Sequence, residues 1–134
     1  MALGVMKQSP LLRFESTAFS VAEGEDEETN PGIYGRTLAV WLASQLGVAE
    51  PEVIAEDFGW CVPVASSPHQ VYVACSSEDD RKDIWRVMVF AEGGLVARIL
   101  GRDRRAEHVA AFFSKVRMIL EAHPGVRGLA NLAR

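Results

Sequence analysis

Two cysteines, three histidines and the adjacent carboxylates Glu56 and Asp57 are the side chains to weigh first for chemistry. With a hairpin turn centred on Pro68, Cys61 and Cys75 stand directly opposite each other. Opposed residues have Cβ atoms roughly 4.5–5.5 Å apart, a little beyond the usual disulfide distance. A reactive thiol needs an electropositive, accessible setting, whereas Trp60, Val62 and Ala74 flank these two, so the expectation is a pair of buried thiols. Neither cysteine has a histidine or second cysteine at ligand spacing, and no metal or cofactor is implied. His69 falls in the expected turn and reads as solvated, while His108 and His123 lie too far apart along one helix to share a ligand sphere. No nucleophile, base and orienting acid can be assembled by spacing, which argues against an enzyme.

The carboxylates lie in Glu56-Asp57-Phe58-Gly59-Trp60. Neighbouring strand residues point to opposite faces, so Glu56 and Asp57 do not form a matched acid–base pair there. One of them turned inward would need a basic partner such as Arg36. Phe58 and Trp60 share a parity and are expected to face the helices. The Asp-Phe-Gly string has none of the other kinase elements around it. A second segment, Asn30-Pro31-Gly32-Ile33-Tyr34-Gly35-Arg36, carries glycines at an expected helix start, but the acidic run before it would repel a phosphate and no Gly-Lys-Ser/Thr follows. Helix capping by Asn30 with Pro31 in the first turn accounts for it better. Tyr34, Arg36, Glu56, Asp57 and Trp60 are the candidate pocket or interface residues.

Charge is unevenly distributed. Residues 1–80 sum to −10 and residues 81–134 to +6, within a net charge of −4. The acidic run 23–28 reads as a solvated loop that lies favourably near the positive end of the first helix dipole and whose charges would tune association. The basic residues Arg98, Arg102, Arg104, Arg105, Lys115 and Arg117 lack interleaved aromatics, and the pI of 5.4 argues against nucleic acid. No apolar run is long enough for a membrane span or a signal peptide, so the expected compartment is the cytoplasm.

The elements that must position these residues follow from periodicity. Residues 1–10 read as a flexible N-terminus and 11–134 as a single domain. A first strand is expected over 11–21, with a bulge near Ser16. Tyr34, Leu38, Trp41 and Leu42 recur at helical spacing up to Gly47. A three-strand meander is expected over 53–90, with Pro63 marking an edge or a bulge. The segment 95–100 is too short to decide between strand and helix. Asp103 is expected to cap a final helix over 104–123, with Val109, Phe112, Phe113, Val116, Ile119 and Leu120 as its buried stripe. The sum is an α+β two-layer sandwich of order β-α-β-β-β-α. It has a mostly antiparallel sheet of four to five strands with two main helices on one face. Trp41, Phe58, Trp60, Phe112, Phe113 and Val116 are expected together in one core.

The pairing of residues 30–36 with residues 56–60 resembles a group of small bacterial proteins to which no activity is attached. The likeness runs from Phe14 to about Leu129 and implies a bacterial source and a free-standing domain. By size and fold alone, immunity proteins and secretion chaperones are analogues. The function expected is a small protein-binding module, immunity- or adaptor-like, with a protein partner or a second copy of the chain. The alternative is a small-molecule-binding or enzymatic domain with a pocket between helix and sheet.

Overall fold

The computed structural model describes residues 6–66, 69–92 and 104–132. Segment 95–100, the cap residue Asp103, and Arg98 and Arg102 lie outside them.

Apolar and β-branched runs with period two build strands β1 (Met6–Gln8), β2 (Leu11–Glu15), β3 (Ile54–Glu56), β4 (Gly59–Ala65), β5 (Gln70–Ser77), β6 (Ile84–Glu92) and β7 (Arg127–Leu132). Two α-helices, α1 (Arg36–Gln45) and α2 (Arg105–Ala122), and a short 3-10 turn (Glu25–Glu27) complete the described elements. All pairings are antiparallel in one seven-stranded sheet of order β3-β4-β5-β6-β2-β7, with β1 beside β6. The fold is α+β, but richer in strands than the sequence indicated and different in order.

Three local causes explain the extra strands. Residues 54–65 break in two because Asp57 and Phe58 form a turn, giving β3 and β4. Met6–Gln8, in the stretch expected to be flexible, pairs with residues 90–92 of β6. Pro10 has no N–H to give, and the neighbouring Ser9 compensates: its N–H donates to the Val89 carbonyl, and its hydroxyl accepts from the Val89 N–H, both at 2.8 Å. Finally, residues 127–132 of the unassigned tail return as β7 against β2.

The first strand ends at Glu15, where the Trp85 indole donates to the Ser16 carbonyl at 3.0 Å, and Phe19 beyond it is still buried. Pro63 sits beside a register shift, and at that level β4 has no partner on the β3 side, so both of its expected settings hold together.

One face of the sheet supports both helices. Trp60, Val62, Val71, Val73, Cys75, Trp85, Val87 and Val89 share a single cluster with Leu38 and Leu42 of α1 and Val109, Val116 and Leu120 of α2. Trp41, Phe112 and Phe113 are only partly buried at its margin. Phe58 departs from the expected core, at 48% exposed, because it belongs to the turn and its parity with Trp60 has no meaning there.

The helix starts differ too. α1 begins at Arg36, not after Asn30, and its cap comes from a distant residue. Glu25, in a short 3-10 turn (Glu25–Glu27), is 6% exposed. Its Oε2 accepts from the N–H groups of Gly35 (2.8 Å) and Arg36 (3.1 Å), and Oε1 accepts from the Ala22 N–H at 3.3 Å. A carboxylate at the positive end of a helix is doubly favourable, as acceptor and as charge. Asp26 accepts from the Gly32 N–H at 2.8 Å. The acidic run is therefore partly a structural clamp and not simply solvated loop.

Candidate functional site

Both sequence segments singled out above converge on the end of β5. Segment 30–36 is tied there by Ser77: its N–H donates to the Tyr34 carbonyl at 2.9 Å, and its hydroxyl accepts from the Tyr34 N–H (3.0 Å) and donates to the Gly32 carbonyl (3.2 Å). The turn between β3 and β4 is tied to the same segment, because the Asn30 side chain donates to the Asp57 carbonyl at 2.9 Å. Gly35 and Gly59 both press on the Cys75 carbonyl. A Cβ built on Gly35 would lie 2.8 Å from that oxygen, and one on Gly59 2.4 Å from it. Their φ angles, 145° and 148°, are ones that side chains disfavour.

The five candidate residues take different places around this junction. Trp60 is buried under the helices, its indole N–H without a partner, and the Arg36 guanidinium carbon lies 6.0 Å from the ring centroid. Tyr34 packs at the core margin with the Lys82 ammonium 5.7 Å from its ring. Partial burial, helped by Asp26, Asp80 and Glu25, raises its phenol above the usual range. Glu56 and Asp57 are exposed, and neither makes an ion pair among the described residues. Arg36 and Trp60 are thus brought together, while Glu56 lies on the opposite side of the sheet.

That opposite side carries no described helix. Ile54, Cys61, Tyr72, Ala74, Met88 and Phe90 line it, with the Tyr72 and Phe90 rings stacked at 4.9 Å. Two concavities open on it. The larger, about 690 Å³, runs over Leu11, Ala74, Ser76 and Met88 to Ile33, Phe58, Glu78, Arg81 and Arg86. The smaller, about 210 Å³, lies over Cys61, Tyr72 and Phe90 between Glu56 and Glu92. Phe58, exposed at the turn, walls both. Charge collects at the larger one. Arg13 donates to Glu78 at 2.7 Å, Arg86 is 3.8 Å from the same carboxylate oxygen, and Arg81 holds Asp83 at 3.1 Å. The bond from Arg13 holds the Glu78 carboxyl below its ordinary range.

The thiols are not opposed. The observed register places Cys61 opposite Ala74 and Cys75 opposite Trp60, one residue away from the symmetric hairpin. They therefore point to opposite faces. Burial, with Glu56 adding to it, pushes the Cys61 thiol up to about 12, and burial raises Cys75 well above its ordinary value. Neither is a thiolate at neutral pH. No group of three or more metal-ligating side chains occurs among the described residues. His69 is buried, not solvated, with its ring 5.2 Å from that of His108. No described helix is long and apolar enough to cross a membrane.

Sequence reasoning placed the acidic run near the positive end of the first helix without singling out Glu25 as its cap, and it missed Ser77 and the Arg13–Glu78–Arg86 group, which act across sequence separations that carry no local signal. No family model matches this sequence, and no curated protein or solved structure is significantly similar to it.

Proposed function

We propose that this chain is a small protein-binding module, immunity- or adaptor-like, and that the face of its sheet without a described helix is the docking surface. The observation that supports this most is Phe58. A large aromatic held 48% exposed on a turn tied to segment 30–36, between two concavities with partly apolar floors, has the character of an interface anchor.

A photo-crosslinking side chain at position 58 tests the reading in cells of the source organism. Met118, exposed on α2, supplies the control position. Discrete adducts from position 58 and none from 118 are expected. Equal or absent labelling from both positions ends the reading. A second reading is favoured by the larger concavity itself, because about 690 Å³ is within the range of small-molecule sites. This concavity opens on the face without a described helix and not between a described helix and the sheet. A metabolite that raises the melting temperature in the parent but not in Met88→Glu would support it.

A further inference from the structure

Resting on the docking-surface reading, we propose that the occupant of the face without a described helix is a second copy of this chain, related by a two-fold axis. The argument comes from β6, the strand at the centre of that face. Its pairing with β5 is continuous from Glu92 to Trp85, so side chains along it alternate without a bulge. Its residues that share that face are Arg86, Met88, Phe90 and Glu92, in the order basic, apolar, apolar, acidic. Read backwards, the row is its own complement. A two-fold axis lying between the two sheets, perpendicular to β6 at the level of Val89, sets Arg86 of each copy over Glu92 of the other. It also sets Met88 over Phe90. Face-to-face sheets pack about 10 Å apart with their strands nearly aligned, which suits such an arrangement. An isologous contact of this kind closes as a dimer and does not propagate.

The pairing state of the charges fits. Arg13 and Arg81 each hold a carboxylate at short range, whereas Arg86 has only a 3.8 Å approach to Glu78, which already accepts from Arg13. Both Arg86 and Glu92 are exposed, and Glu92 makes no ion pair among the described residues. Glu56 strengthens the acidic end of the face beside the smaller concavity. Phe90 keeps only 7% of its surface, so Met88, Tyr72 and the protruding Phe58 supply most of the apolar contact.

Charge exchange tests this without identifying any other ligand. Sedimentation of the parent from about 1 to 200 μM should show a monomer–dimer equilibrium, a span that covers dissociation constants typical of transient pairs. Arg86→Glu and Glu92→Arg should each weaken association about tenfold or more, because each sets like charges opposite one another twice over the axis. An equimolar mixture of the two variants should recover parental association, since each mixed pair again sets acid over base. Circular dichroism of both variants checks that the fold is kept. A parent that stays monomeric throughout overturns the proposal, and so does a mixture no better than its components. If the parent is monomeric while position 58 still yields an adduct with a different protein, only the identity of the occupant fails. If neither occurs, the docking-surface reading fails as well.

Discussion

Glu25→Ala is the substitution with the most to lose relative to its sequence context. Glu25 lies in a run of acidic residues, and Glu27 and Glu28 beside it are exposed. Removing its carboxylate takes the acceptor from the Gly35, Arg36 and Ala22 N–H groups at once. Loss of an N-cap costs about 0.5–2 kcal/mol, and loss of a negative charge at a helix N-terminus about 0.3–1 kcal/mol more. Gly35 is buried, so its orphaned N–H cannot turn to water, which favours the upper part of that range. The expected cost is about 2–3 kcal/mol. With a urea slope of about 2 kcal/mol/M, the midpoint should fall by about 1–1.5 M. Glu25→Gln keeps an acceptor and should lose about half as much. Glu28→Ala should stay within about 0.5 kcal/mol of the parent. If Glu25→Ala and Glu28→Ala unfold at the same urea concentration with unchanged slope, the carboxylate does not cap α1.

Four other outcomes are expected. Gly59→Ala should destabilise by about 2 kcal/mol or more in the same urea assay, from positive-φ strain plus the close approach to the Cys75 carbonyl. Leu38→Ala, in a fully buried site, should cost about 2–5 kcal/mol, and Phe112→Ala, at the core margin, distinctly less. Both thiols should react with a disulfide reagent at pH 8 far more slowly in the native state than in urea, and no intramolecular bridge should form on oxidation. The folded Glu78 carboxyl is held below its unfolded value, so its contribution is present above the ordinary carboxylate range and is lost as pH falls through the lower, folded value. Arg13→Gln should flatten that acid limb of the stability profile.

The α+β class, the first helix around Leu38 and Leu42, and the strip Val109–Val116–Leu120 were legible because each depends on periodicity within one element. The strand count was not, because it turned on a few residues and on a tail, 127–132, whose pairing with β2 has no local signal. Asp57 and Phe58 look like strand by composition and form a turn by context, and Ser9 repairs a ladder that Pro10 would have broken. The hairpin register was missed by one residue, and with a period of two that moved Cys61 to the far face. For the candidate site, the segments 30–36 and 56–60 were visible as unusual strings, but their meeting point was not. Ser77 reaches segment 30–36 across more than forty positions, and nothing in its neighbours marks it for that role.

The junction at Cys75 has a consequence for how this sequence can drift. The Cys75 carbonyl oxygen is the nearest atom to a Cβ built on either Gly35 or Gly59, and it is a backbone atom, which every amino acid supplies; at Gly59 the Ser76 Cβ, 2.8 Å away, adds to it. Position 75 can change its side chain, within the limits of the core, without loosening either glycine. A comparison of diverged copies would then show two fixed glycines with position 75 varying independently of them, although all three meet in space. The two glycines are also poor candidates for mutual rescue. A shift of β5 that made room for a methyl group at one would have to move the Tyr34–Ser77 bonds as well, and the damage from changing both should differ from the sum of the single changes.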